Sequence, residues 1–135
     1  MGKYRAAKKI NLVVQALNLK KVFPESRYFI RYNCLIWQAD LTPSALSNTY
    51  TVRMKYKLKK RPDVSVVEPT LIVPDGETLP HTYTSERLCL YYPGIGEWRG
   101  DMLLAKTIVP WISEWLLNYE IWLITGKWCA GGIHP

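Results

Sequence analysis

With 135 residues, 48% of them apolar and 21% charged, the chain can bury one continuous core but not two, the balance of a globular and not a disordered protein, and a single domain over 1–135 is expected. Eighteen Lys and Arg against eleven Asp and Glu leave a formal charge of +7, suited to phosphate backbones or an acidic protein surface without identifying either. No apolar run approaches the roughly 20 residues that cross a bilayer, and the basic first nine residues lead into only a short apolar run without a small-residue cleavage site, so neither a membrane anchor nor a secretory leader is expected.

Along the chain, residues 4–19 place Ala7, Ile10, Val13, Val14, Ala16 and Leu17 at helical spacing, with Lys3, Arg5, Lys8 and Lys9 off that stripe. This predicts an amphipathic first helix. Pro24, Glu25 and Ser26 punctuate, and residues 28–39, rich in aromatic and β-branched side chains, read as one strand. After a turn at 41–48, residues 49–57 alternate, with Tyr50, Val52, Met54 and Tyr56 on one face and Thr51, Arg53, Lys55 and Lys57 on the other. A third strand is expected over 64–73, interrupted at Pro69. Three strands joined by short loops imply an antiparallel meander. Residues 74–100 form a long irregular stretch holding His81 and Cys89, too rich in Tyr, Leu and Trp for disorder. From Leu103 to Leu123 the i, i+4 rhythm returns, with Pro110 expected to kink the segment or begin a second helix, and Gly126 to end it. The fold class is therefore α+β: helix, meander, structured loop, helix.

The cysteines, Cys34, Cys89 and Cys129, are odd in number and irregular in spacing, which argues against a disulfide framework and for a reducing, cytoplasmic compartment. By itself, a cysteine between Leu88 and Leu90 is more often a buried structural thiol than a reactive one. His81 alone would be a surface or hydrogen-bonding residue. Cys129 and His134 with Cys89 and His81 match no zinc-ligand spacing, so no metal and no cofactor are expected. The tryptophans from Trp111 to Trp128 read as the apolar face of the last helix, and the lysines as solvated faces.

The run Leu79-Pro80-His81-Thr82-Tyr83-Thr84-Ser85-Glu86-Arg87-Leu88-Cys89-Leu90, with Trp98 beyond it, resembles the active-site segment of the ubiquitin-conjugating enzymes. In that family a His-Pro-Asn motif and a tyrosine precede Ile-Cys-Leu, so Pro80, Tyr83, Cys89 and Leu90 fall on matching positions. Trp98 lies about one residue beyond the family's tryptophan, and Pro62 and Pro69 sit near its proline-rich strand entry. Two positions depart: Leu79 stands at the family's histidine and His81 at its asparagine, a residue that holds the loop and stabilises the oxyanion formed on amine attack. A histidine there retains a hydrogen-bond donor. A closer resemblance is to the conjugating-enzyme-like proteins of type II CBASS antiphage systems, in the short form without an activating domain. It rests on the Leu-Cys-Leu-Tyr block, Glu97-Trp98, the helix over 111–120, Thr125-Gly126-Lys127-Trp128, Gly131-Gly132 and His134.

That resemblance implies a ubiquitin-conjugating fold and a transferase in which Cys89 carries an acyl group as a thioester, namely the C-terminus of the cyclic-nucleotide synthase (CD-NTase) of the same operon, and passes it to an amine. His81 is the second candidate catalytic residue, with Tyr83, Glu97, Trp98 and Asp101 in support. Arg87 and His81 would favour the thiolate and Glu86 oppose it, while Glu97 or Asp101 would take the amine's proton. A docking role for the basic first helix is implied by the same resemblance. The competing readings are a non-catalytic scaffold for the synthase and a basic nucleic-acid-binding domain. For the last, no groove-reading helix or aromatic-glycine motif is present, so nucleic acid is not expected as a partner.

Overall fold

The computed structural model describes residues 8–83, 86–90 and 98–128. Its architecture is α+β: helix α1 (Leu12–Val22), strands β1 (Arg27–Arg31), β2 (Cys34–Leu41), β3 (Tyr50–Tyr56) and β4 (Asp63–Glu68), a 3-10 turn at Leu104–Lys106, and helix α2 (Ile108–Thr125). The strands form one antiparallel sheet in the order β1-β2-β3-β4.

Helix α1 begins later than its apolar spacing suggests, because Asn11 caps it by accepting a hydrogen bond from the Val14 amide at 2.9 Å. Its buried face is also rotated from the expected one. Leu12, Gln15, Ala16 and Leu19 point inward, at i, i+3, i+4 and i+7, while Val13, Val14 and Leu17 are exposed. The reason is Gln15, fully buried, whose amide donates to the Met102 carbonyl at 2.8 Å and accepts from the Leu104 amide at 2.9 Å. A polar residue satisfied on both ends belongs to the inward stripe, and a count of apolar residues passes over it.

The expected single strand over 28–39 is a hairpin instead. Tyr32 and Asn33 adopt left-handed φ angles of 53° and 59°, the geometry of a two-residue turn whose twist suits antiparallel strands. The meander thus has four strands, with Leu35 opposite Tyr56 and Trp37 opposite Met54 across β2 and β3. The alternation of β3 is as expected, with Tyr50, Val52, Met54 and Tyr56 buried. Strand β4 stops at Glu68, short of the expected 73, since Pro69 has no N–H to continue the ladder.

One apolar cluster joins the inner sheet face to Ile108, Ile112, Trp115, Leu116, Tyr119 and Trp122 of α2. Each fully buried side chain of this size contributes about 1.5–3 kcal/mol. Pro110 sits in the first turn of α2, where its missing N–H leaves no bond unmade, so it starts the helix rather than kinking it. Gly126 ends α2 at a φ of 77°, its amide bonded to the Trp122 carbonyl. Glu120 ties α2 to the β2–β3 connection, accepting hydrogen bonds from Ser47 Oγ, the Asn48 amide and the Tyr50 hydroxyl.

Candidate active site

The segment between β4 and α2 has little regular structure, yet it is held at several points. Thr82 bridges Leu88 as an isolated antiparallel pair, and the Tyr83 amide donates to the Arg87 carbonyl at 2.7 Å, closing a tight loop. The Leu88 amide donates to Val64 of β4 at 2.8 Å, which fastens the loop to the sheet. Two donors converge on the His81 carbonyl: the Cys89 amide at 2.9 Å and the Trp115 indole N–H at 3.0 Å. Cys89 is therefore positioned by backbone bonding to His81, and His81 by a side chain of α2.

Cys89 is buried, 8% exposed. The burial follows from its anchoring: the Cys89 amide is tied back to His81 and Leu88 beside it joins the core cluster. The Tyr83 hydroxyl hydrogen-bonds the Cys89 side chain. Burial, this hydrogen bond and the sulfur's charge all push the Tyr83 phenol above its ordinary value, while Arg61 opposes them. Tyr83 thus stays protonated at neutral pH and is a hydrogen-bond donor toward sulfur. Arg61 Nη1 approaches the same hydroxyl at 3.5 Å. The Arg87 guanidinium lies 5.9 Å over the Tyr83 ring and pairs with Asp63 at 3.0 Å. Lys60, Arg61, Tyr83, Arg87 and Leu88 line a cleft of about 310 Å³ along this side of the loop.

Among the residues expected to act, Cys89, His81 and Tyr83 are brought together, but His81 contributes through its carbonyl. Its ring packs against Trp128, with centroids 4.9 Å apart. Trp98 is buried, its ring edge-on to Tyr56 at 5.1 Å and its indole N–H bonded to Thr107 Oγ1. It supports the core below the site. Asp101 accepts a hydrogen bond from Arg99 at 3.2 Å, in a segment held to the start of α1 by the Ile10 amide on Gly100. Glu97, Thr84, Ser85, Cys129 and the segment holding Gly131, Gly132 and His134 lie outside the described residues. Sequence reasoning missed Arg61, which stands in a basic run and looks like solvated surface until the fold sets it beside Tyr83. It also missed the polar end of Trp115, since spacing assigns a tryptophan to a face without aiming its N–H. No group of three or more His, Cys, Asp or Glu among the described residues is arranged to hold a metal ion. Among those residues no helix is long and apolar enough to cross a membrane.

A family model described as E2-CBASS, Type II CBASS E2 protein, matches residues 15–135. No curated protein gives a significant match.

Proposed function

The chain belongs to the type II CBASS E2 protein family and so to CBASS antiphage defence, and from that membership we propose that it is a ubiquitin-conjugating-like acyl carrier. In this reading Cys89 holds the C-terminus of the operon's cyclic-nucleotide synthase as a thioester and passes it to an amine. The helix, meander, loop and helix order supports a ubiquitin-conjugating fold. The observation that carries the reading is the Tyr83 hydroxyl bonded to the side chain of Cys89 beside Arg61, at the matched position of the active-site loop.

Loading begins when the Cys89 sulfur attacks the activated carbonyl carbon of the donor. A C–S bond forms, the donor's leaving group departs with its electron pair, and the thiol proton passes to solvent. In discharge the amine nitrogen attacks the same carbon, a C–N bond forms, the C–S bond breaks and Cys89 returns as thiolate. The surplus proton of the amine passes to solvent directly or by way of a carboxylate, Glu97 or Asp101, the latter paired with Arg99. Tyr83 donates to the sulfur whenever it bears charge, before attack and on departure. The basic cleft at Lys60 and Arg61 suits an extended donor tail approaching the loop.

The 8% exposure of Cys89 favours a second reading, in which the same protein is a non-catalytic scaffold for the synthase. Intact mass spectrometry separates the two, with Cys89→Lys and Cys89→Ala each produced alongside the neighbouring genes. A synthase-sized adduct on Cys89→Lys alone, trapped as an amide, is the expected result. If neither variant is modified while the wild type binds the synthase, acyl carriage is wrong and the scaffold stands.

A further inference from the structure

The outer face of the sheet, turned away from the core, gathers groups that no stretch of sequence holds together. The pairing of β1, β2 and β3 sets Arg27 beside Gln38, Phe29 beside Ile36, Gln38 beside Arg53 and Ile36 beside Lys55. These residues and Arg31 line a groove of about 660 Å³, and among the described residues no carboxylate lines it. Phe29 is 53% exposed at its centre, with the Arg31 guanidinium 5.7 Å over its ring. Tyr32, at the hairpin turn and 88% exposed, adds a second aromatic surface at one end. Three acids lie on the same face outside the groove: Asp40 accepts from Thr51, Glu68 stands opposite Thr51 on β4, and Asp63, opposite Lys55, pairs with Arg87.

We propose that this face binds single-stranded nucleic acid, with Phe29 and Tyr32 as stacking platforms and Arg27, Arg31, Arg53 and Lys55 neutralising the phosphates. Four cations around exposed rings, without a carboxylate among them, complement a ligand that alternates flat π-faces with negative charge. An acidic peptide would satisfy the cations but offers no flat partner to the exposed rings. Gln38, already accepting from Arg53 Nε at 3.0 Å through Oε1, retains its amide NH₂ for a base edge. Three strands about 4.8 Å apart span roughly 10 Å, room for about two or three nucleotides. The sequence contains no nucleic-acid motif because the site is discontinuous, assembled by strand pairing. It shares no residue with the Cys89 loop, so it stands or falls apart from acyl carriage.

The test is fluorescence anisotropy with a labelled twelve-nucleotide thymidine DNA strand and the full chain, repeated across salt concentrations. Neutralising two to four phosphates gives a slope of log K against log salt between about −1.4 and −2.8. Phe29→Ala, at a position too exposed to threaten folding, is expected to weaken binding about tenfold. Arg27→Gln with Arg53→Gln should flatten the slope, whereas Lys20→Gln with Lys21→Gln on α1 and Cys89→Ala should leave affinity within about twofold. A duplex of the same length should bind less well, its bases being closed to stacking. The proposal is overturned if no binding is seen at low salt, if Phe29→Ala binds as the wild type does, if the duplex binds as tightly, or if a poly-glutamate peptide of equal charge competes as well as the strand. The last result would make the face a site for an acidic protein.

Discussion

Replacing Tyr83 with Phe removes one hydroxyl and almost nothing else. The ring stays under Arg87, and the loop-closing bond from residue 83 to the Arg87 carbonyl belongs to the backbone. What is lost is the donor to Cys89. In a dry site a hydrogen bond to a charged acceptor contributes about 1.5–3 kcal/mol. Tyr83 is 36% exposed, so water replaces part of that bond and the expected loss is about 1 kcal/mol. A thiolate without that donor is itself more nucleophilic, which offsets close to half of the loss, so Cys89 should react with iodoacetamide about two- to threefold more slowly at neutral pH. Peptide mapping by mass spectrometry reads Cys89 and Cys34 in the same sample, and Cys34, on strand β2, serves as the internal reference. Arg61→Gln should slow Cys89 in the same direction by less. An unchanged ratio of Cys89 to Cys34 rates in Tyr83→Phe, with an unchanged melting temperature, would refute the assignment of Tyr83 as the group that sustains sulfur charge.

Further outcomes follow from the buried polar contacts. Gln15→Leu leaves the Met102 carbonyl and the Leu104 amide without their partner, and chemical denaturation should register a loss of about 2–4 kcal/mol despite the gain in hydrophobicity. Glu120→Gln weakens the three bonds that hold the β2–β3 connection, and calorimetry should show a melting temperature roughly 5 °C lower. Trp115→Phe deletes the indole bond to the His81 carbonyl, so amide exchange should quicken at residue 89 well before it does in β3. The phenols of Tyr50, Tyr56, Tyr83 and Tyr119 are all raised above the ordinary 10.0, burial first in each case, with Glu120 adding at Tyr50 and Tyr119. A raised value in the folded state means that folding favours the protonated form, a contribution complete below about pH 10 and lost as pH climbs through the folded values. Melting temperatures should therefore fall steeply above pH 10, and Tyr50→Phe should make that fall shallower.

The parts of the fold legible in sequence were those written in simple periods. The β3 alternation and the rhythm of α2 match the structure because burial there is decided almost wholly by apolar side chains, Asn118 excepted, and the stop at Gly126 matches because its left-handed backbone suits glycine. Where polar groups decide, periodicity misled: Gln15 turned α1 onto a different face, and the Tyr32-Asn33 turn divided one expected strand into two. At the candidate site, the resemblance to the ubiquitin-conjugating enzymes brought out Tyr83 and Cys89, which meet in space. The bonds that hold them did not show, because they run from carbonyls and from an indole N–H on a distant helix. Arg61 was hidden for the same reason, being 22 residues from Tyr83.

The doubly bonded His81 carbonyl has a consequence for how this position can drift over evolution. At a φ of 53° the main chain tolerates glycine, asparagine, aspartate or histidine far better than a branched residue. Because the anchoring of Cys89 passes through the oxygen of residue 81, the side chain there is released from that duty. An asparagine can replace His81 without dismantling the loop, since it too accepts the left-handed backbone. The side chain then answers to its neighbour, Trp128, and its chemistry can change while the bonds that hold Cys89 stay as they are.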